Sequence, residues 1–416
     1  MAILDRWRND HGSKMFCRDA LALDYKPHSE KLSNISIDCT PTAGIQDSLV
    51  DVLSEVLRVV RLSGAIHFCA EFTRPWAFQT SPPSMLAARL KVPEGSVTPF
   101  HVVTEGSCLV TSGALPPIHI ETGDVIVFPR GDQHVMASDP ELVPVPIQEI
   151  YSQPSKEQIA VVKYGGSGPP ARFICGFLHS DQRFDPLLKS LPAVLCVRSR
   201  DDTLTLETLD GTGRRVQPIT HQQEKEWWRA SLRYLISETA TPGPGHRAVL
   251  ARLAESLFLE LLQWQLRYVA QGHGGGWLAG LYDAQVGPAL TLLHAQPDRS
   301  WTVEALAKEV GVSRAALAKR FVELVGESPI QYLAGWRMHL AQHLLQDSTL
   351  GVGEIAGRVG YESDAAFNRA FRRRVGSPPA TWRQAKEEQP PAANGTQFRN
   401  RSSPGLTRRS SIPEQS

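Results

Sequence analysis

The period of the apolar positions changes along the chain, and the changes divide it. Between residues 48 and 60, Leu49, Val52, Leu53, Val56 and Leu57 recur at helical spacing, which predicts a short leading helix. From Gly64 to about Pro146 the pattern becomes short apolar runs broken by Gly and Pro: 65–68, 84–90, 98–103, 107–111, 118–120, 125–128 and 134–136. Many short strands separated by turn signals predict a sandwich or barrel. Residues 159–164 and 172–177, with a Gly/Pro turn between them, are expected to rejoin it as strands. Residues 187–191 predict a short helix stopped by Pro192. Helical spacing then returns. Residues 224–238 place Trp228, Leu232, Leu235 and Ile236 on one side. Residues 247–269 carry Leu250, Leu253, Leu257, Leu261 and Trp264 as a stripe. That stripe serves either packing on the preceding helix or a seam between two chains. Four glycines and a histidine at 272–276 are expected to form an interdomain hinge.

The last periodic stretch repeats itself. Leu306-Ala307 and Val310-Gly311 return as Ile355-Ala356 and Val359-Gly360, 49 residues on. Ser313, Leu317, Phe321, Val325, Gly326 and Pro329 return as Ser363, Phe367, Phe371, Val375, Gly376 and Pro379, 50 residues on. Two copies of one supersecondary unit, differing by an insertion at a turn, give this signature. Each unit predicts a helix ended by glycine, a serine N-cap, and a second helix. The second helix of each copy packs on the first through its Leu/Phe face. Its opposite face shows Arg314, Ala315, Ala318 and Lys319, or Asp364, Ala365, Asn368 and Arg369. Two helices joined by a short turn, the second presenting polar and basic groups, make a helix-turn-helix suited to the DNA major groove. Residues 330–346 form the expected connector, roughly 25 Å long at 1.5 Å per residue, against about 34 Å for one turn of DNA. Arg337 interrupts its apolar stripe.

The double unit closely resembles the DNA-binding domain of AraC/XylS-type transcriptional regulators over residues 281–383. The second copy, from Ile355-Ala356 through Gly360-Tyr361, Phe367-Asn368-Arg369-Ala370-Phe371-Arg372 to Gly376-Ser377-Pro378-Pro379, is close to the family signature. The resemblance places base contacts at Arg314, Ala315, Ala318 and Lys319, and at Asp364, Ala365, Asn368 and Arg369. Arg and Lys suit guanine and Asn suits adenine. Asp364 either accepts from a cytosine amino group or faces away. Ser313, Ser363, Arg372 and Arg373 are expected on phosphates, which position without specifying.

A second motif sits in the strand-rich part. Gly123-Asp124, Pro129, Gly131 and His134 fit Gly-x5-Pro-x-Gly-x2-His, which resembles the second signature of the cupin barrel. The first signature departs from the family: His101 is followed by Val102 and Val103, where a metal-binding cupin offers a second histidine. Structural roles for His101 and His134 are therefore expected rather than a metal site, even with Glu105 nearby. Such a barrel resembles the sensor domain that precedes AraC-type DNA-binding domains and takes a small-molecule effector. Cys69 and Cys108 fall on barrel strands, either as small buried residues or as reversible thiol sensors.

Composition changes this picture little. The 416 residues carry a formal charge of only +1, but residues 288–384 hold twelve Lys/Arg against nine Asp/Glu, and Arg369, Arg372, Arg373 and Arg374 cluster. Six dispersed cysteines without a Cys-x-x-Cys pair fit a reducing compartment and argue against structural zinc. There is no run of about 18 apolar residues to span a membrane and no secretory leader.

The expected fold is α+β and multidomain. Residues 1–45 are an unstructured extension, 46–200 a cupin-like sensor, 201–276 a helical linker and dimerisation segment, 277–386 an all-α double helix-turn-helix, and 387–416 an unstructured tail. The expected function is a sequence-specific transcriptional regulator, an activator and not an enzyme, without cofactor and controlled by an effector or redox signal. Its expected partners are double-stranded DNA, RNA polymerase and a second copy, in the bacterial cytoplasm at the nucleoid. A metal-dependent cupin enzyme with a helical appendage, or a non-specific architectural DNA binder, remain the alternatives.

Overall fold

The computed structural model describes residues 46–151, 159–180, 184–241 and 243–388. The expectations for 1–45 and for the tail beyond Glu388 lie outside the described residues. Helix α1 (Gln46–Val60) leads into β1 (Leu62–Thr73), β2 (Ala77–Gln79), α2 (Pro83–Leu90) and β3 (Val97–Glu105). Strands β4 (Ser107–Thr111), β5 (Ile118–Glu121), β6 (Val125–Val127), β7 (Val135–Ala137) and β8 (Val145–Pro146) follow, then α3 (Ile147–Ile150). The next elements are β9 (Ala160–Gly165), β10 (Pro170–Ser180), α4 (Asp185–Ser190), β11 (Val194–Arg200), β12 (Thr203–Asp210) and β13 (Gly213–Pro218). They form an eight-stranded sheet, β13-β12-β11-β6-β3-β10-β1-β9, and a five-stranded sheet, β5-β4-β7-β2-β8.

Two sequence expectations are corrected here. Residues 84–90 are helix, not strand: Pro83 opens α2 and Ala87 is its buried face, so Pro-Pro followed by Ala-Ala outweighs the apolar run. The strand region also extends to Pro218, beyond residue 200. Strand β13 carries Arg214 and Arg215 and is largely exposed, so it lacks the apolar run of a buried strand.

The two sheets enclose one core, with Phe72, Phe78, Ile120, Ile126, Phe128 and Met136 fully buried in it. The outer face of the large sheet is covered by helices. Along β3, Val103 faces the barrel core while Phe100 and Val102 face the helices; both faces are covered, which is why residues of both alternating sets are apolar here. Helices α5 (Gln222–Ala240) and α6 (His246–Ala270) supply the cover. Helix α6 lies on β1 so closely that a Cβ at Gly64 would stand 2.5 Å from the Ala251 carbonyl oxygen. The Gly64 amide donates to Glu255 Oε1 at 2.8 Å. Trp228 and Trp264 pack with ring centroids 5.0 Å apart, and Leu250, Leu257 and Leu261 are buried in the same core. The leucine stripe of α6 is thus used within the chain. It does not present the two-chain seam that was its other expected use.

The chain then turns through positive-φ Gly272 and Gly274 into α7 (Gly276–Tyr282) and α8 (Val286–Ala295). The two units of the repeat follow as α9 (Val303–Glu309) with α10 (Arg314–Val325), and α12 (Val352–Arg358) with α13 (Asp364–Val375). Between them runs α11 (Pro329–Asp347), and α14 (Pro379–Glu388) comes last. The core on the outer face of the sheet continues through α7 and α8 to Leu306, Leu317, Phe321, Tyr332 and Trp336. The second unit has its own core of Ile355, Val359, Phe367 and Phe371 against Met338, Ala341 and Leu345 of α11. No helix among the described residues is long and apolar enough to cross a membrane.

Candidate nucleic-acid interface

The repeat is punctuated identically in both copies. Ser313 caps α10 by accepting from the Ala316 amide at 3.2 Å, and Ser363 caps α13 by accepting from the Ala366 amide at 3.3 Å. Both helices are 12 residues long and end at a left-handed glycine, Gly326 at φ 85° and Gly376 at φ 93°. The first helix of each unit is held under the second through Leu317 and Phe321, or Phe367 and Phe371, all with no exposed surface. Pro329 opens α11, and the Ser328 amide donates to Gln331 Oε1 at 3.1 Å, which fixes its start. Its 19 residues span about 28 Å at 1.5 Å per residue.

The buried faces leave the opposite faces to solvent. Ser313, Arg314, Ala315 and Lys319 are exposed on α10, with Ala318 half-buried. Ser363, Asp364, Ala365, Arg369, Arg372 and Arg373 are exposed on α13, with Asn368 half-buried. Several of these groups have partners within the chain. Arg314 Nε lies 2.7 Å from Glu304 Oε1 in an exposed ion pair, which is worth little and is easily exchanged for another anion. Asn368 Nδ2 donates to the Asp364 carbonyl at 2.8 Å, which leaves its Oδ1. A Cβ added at Gly353 would lie 2.9 Å from Asp364 Oδ2. The Asp364 carboxylate is therefore turned back over α12, beside the N-terminus of its own helix, where negative charge is favoured.

Sequence reasoning missed three groups. Val322 is 48% exposed and stands one and two turns beyond Ala318 and Ala315 on the same face. Its place in the repeat is that of Arg372, and that correspondence was the available signal. Arg374 leaves the line of Arg372 and Arg373: it lies over Gly335 of α11, where a Cβ would be 2.7 Å from its Nη2. Arg337, the interruption in the α11 stripe, is half-buried. It donates from Nε to the Pro297 carbonyl at 2.7 Å and from Nη2 to the Arg299 carbonyl at 2.9 Å. Its guanidinium also stands 5.7 Å from the centre of the Tyr361 ring. It ties the end of α8 to the linker and the linker to the second unit.

A hydrogen-bonded chain joins α1 to the linker helix α11. Trp277 Nε1 donates to the Tyr332 hydroxyl at 3.0 Å, that hydroxyl lies 2.7 Å from His294 Nε2, and His294 Nδ1 lies 2.9 Å from Glu55 Oε2 of α1. Since the tyrosine oxygen accepts from Trp277, its proton goes to His294 Nε2, and the Nδ1 proton goes to the carboxylate. Arg61, just after α1, pairs with Asp347 at the end of α11. Nothing in the local spacing announces the contacts of α1 with the reader, because Glu55 and His294 are 239 positions apart and Arg61 and Asp347 are 286 apart.

Inside the barrel the sequence-selected histidines meet. His101 Nε2 and His134 Nε2 are 2.7 Å apart, and His101 Nδ1 is 3.1 Å from Cys175 Sγ. His134 Nδ1 lies 3.0 Å from the Asp132 carbonyl oxygen and so donates to it. Its Nε2 is then an acceptor, His101 Nε2 carries the donated proton, and the Cys175 thiol donates to His101 Nδ1. The chain is satisfied with every member neutral. Burial agrees: it holds His101 well below the usual imidazole range, lowers His134 to about 4, and raises the Cys175 thiol. His134 also stacks on Phe128 with centroids 3.6 Å apart. The residues do not fit a resident metal. His101 spends one nitrogen on each neighbour, so the three donors lie in a line rather than around one point. The expected third position is Val103, and Glu105 pairs with Arg172 instead. Cys69, half-buried, has its thiol pushed up to about 11 by burial, and burial raises the Cys108 thiol further. Both are held as thiols, the slow form in oxidation, so the redox expectation for them is not carried forward.

The comparisons with known proteins agree with this division. A family described as Cupin matches residues 51–212 and 215–267, and one described as Helix-turn-helix domain matches 306–385. A cupin domain followed by paired helix-turn-helix units defines the class: a DNA-binding transcription regulator. A putative AraC-like transcription regulator of Streptomyces lividans is 34% identical over 300 residues, 71% of this chain and 89% of that protein. The HTH-type transcriptional regulator AlkR of Acinetobacter baylyi is 27% identical over 338 residues, 80% of this chain and 99% of that protein. The chain belongs to the AraC-like transcription regulators. Among solved structures, the DNA-binding domain of AdpA in complex with a target DNA is 34% identical. It covers 27% of this chain and 99% of that one, with a TM-score of 0.25.

Proposed function

We propose that this regulator is an activator that reads two consecutive major-groove segments on one face of the duplex, the first with α10 and the second with α13. The observation that carries this reading is the paired, identically capped helices joined by one continuous helix of about 28 Å, close to one turn of DNA. Arg314, Lys319 and Arg369 are the guanine-reading candidates, and Asn368 Oδ1 is free to accept from a base amino group. Ala315, Ala318 and Val322 offer apolar contact suited to thymine methyls. Ser313, Ser363, Arg372 and Arg373 take phosphates. Asp364 is withdrawn from the base-reading set, since its carboxylate faces α12.

Control enters at the cupin half through an effector. The first unit shares one core with the helices on the barrel, whereas the second has its own, which supports an arrangement in which the sensor holds one reader and sets the freedom of the other. Contact with RNA polymerase at promoters on the nucleoid follows from the activator reading. Selection of bound sequences from a random duplex pool with the full chain is the test. An asymmetric motif spread over two adjacent turns supports the proposal. No enriched motif would leave a non-specific architectural binder.

A further inference from the structure

The linker α11 changes cores partway along its length. Tyr332, Leu333 and Trp336 belong to the core shared with the first unit, whereas Met338, Ala341 and Leu345 belong to the core of the second. Arg337 stands between the two sets. Each unit packs on α11 through its own core, so a group that spans the crossover ties one unit to the other. Arg337 is placed to do so. Its Nε donates to the Pro297 carbonyl at 2.7 Å and its Nη2 to the Arg299 carbonyl at 2.9 Å, both in the segment that enters α9. On the other side, its guanidinium lies 5.7 Å from the centre of the Tyr361 ring, within the roughly 6 Å reach of a cation–π contact. Tyr361 sits in the turn that enters α13 and packs edge-on against Phe367 of that helix, with ring centroids 5.6 Å apart. Gly360 closes the junction: a Cβ there would stand 2.7 Å from Arg337 Nη2 and 2.6 Å from the Asp298 carbonyl oxygen. The turn of the second unit thus lies directly on the entry segment of the first, with the guanidinium beside both.

We propose that Arg337 is a positioning residue for recognition: it sets the rotation of the second unit relative to the first, and so the spacing at which both recognition helices enter the major groove together. The proposal rests on the two-segment reading above. One added base pair moves the second segment by about 3.4 Å and turns it by about 35° around the duplex. A unit held at one rotation is penalised by that change. A loosely held unit tolerates it, and binds the correct spacing more weakly because it must be ordered on binding. The planar fork of arginine can hold two carbonyls while lying on a ring, which the compact ammonium of lysine cannot.

The test uses the full chain and duplexes that carry the selected site with one base pair removed, unchanged or added between its halves. Each affinity is divided by that of the same preparation for a duplex whose second half is scrambled, which removes differences in active fraction. The parent is expected to prefer the selected spacing by about tenfold, roughly 1.4 kcal/mol. Arg337→Met keeps an apolar stem and removes the fork, and is expected to lower that preference to about threefold or less, with the loss concentrated at the selected spacing. Arg337→Lys, the milder change, is expected to behave alike; thermal unfolding shows which variants fold. A merely structural role would weaken all spacings in proportion, so a parental spacing profile in the folded variants would overturn the proposal. Without DNA, spin labels carried by unnatural residues in place of Glu323 on α10 and Arg373 on α13 report the separation of the units. A single narrow distance is expected in the parent and a broader distribution in Arg337→Met, whereas equally narrow distributions would also overturn the proposal. Absence of a two-part motif for the parent would sink the two-segment reading, and the label distances would still decide whether Arg337 holds the units.

Discussion

Protonation of the buried histidine pair should destabilise the barrel, and the size of the effect follows from the geometry. His134 has the ordinary imidazole value of 6.5 in the unfolded chain, and burial lowers it to about 4 in the fold. Between these values the unfolded state binds a proton that the folded state does not. The neutral form's advantage is therefore fully present above about pH 6.5, and it is lost as pH falls toward 4. Across the whole window a shift of this size is worth about 3 kcal/mol, and at pH 5 about 2 kcal/mol of it is already gone. His101 is shifted in the same direction by the same burial and by its neighbour, so it adds to the loss. Charging His134 also sets two donors against each other across 2.7 Å. His134→Gln keeps an acceptor for His101 while removing the titration. Urea unfolding at pH 8, 6.5 and 5, followed by near-ultraviolet circular dichroism, should show the substitution cutting the acid loss by about 2 kcal/mol at pH 5. If His134→Gln loses as much stability at pH 5 as the parent does, the neutral chain of hydrogen bonds is the wrong account of this site.

Other predictions address the reader. Arg369→Ala is expected to cost about 1–3 kcal/mol and to relax preference at one base pair, whereas Arg373→Ala is expected to weaken all sequences equally and lower the salt slope by about one; titrations on a matched and a mismatched site at two salt concentrations separate the two. Ser313→Ala and Ser363→Ala each remove an N-cap and should cost about 1 kcal/mol of stability, read as a lower unfolding midpoint, with Gly as replacement restoring most of it. Gly360→Ala should be worse than either, because φ is 81° and the new Cβ would stand 2.6 Å from the Asp298 carbonyl oxygen; hydrogen exchange is expected to rise across α12 and α13. Normal protection there would show that the backbone relaxes without cost.

The double unit was legible because its punctuation is local. Serine caps and left-handed glycines act within one or two turns, and their recurrence 50 residues apart needs no tertiary information. Residues 84–90 were not legible from apolar content alone, since a short apolar run is compatible with either a strand or a buried helix; the preceding prolines held the answer. Strand β13 was missed because its side chains are mostly polar and exposed. The partner of His101 was hidden for another reason: Cys175 reaches it only through the β3–β10 register, in which Cys175 stands opposite His101. Arg337 shows the limit most clearly. In the sequence it breaks a stripe, and only the fold brings two carbonyls to it from 38 and 40 residues away. The face of each recognition helix could be read from periodicity, but the inward turn of Asp364 and the bond between Asn368 and its own helix could not.

In the proposed mode of binding, two unequal readers are held at a fixed separation by α11. The decisive measurement inserts about five base pairs, half a helical turn, between the two halves of the selected site. That insertion puts the second major-groove segment on the opposite face of the duplex, out of reach of α13 while α10 is engaged. The full chain is expected to lose specific affinity for the inserted site down to the level of unrelated sequence. Unchanged affinity would contradict the rigid two-segment account and assign recognition to one unit alone.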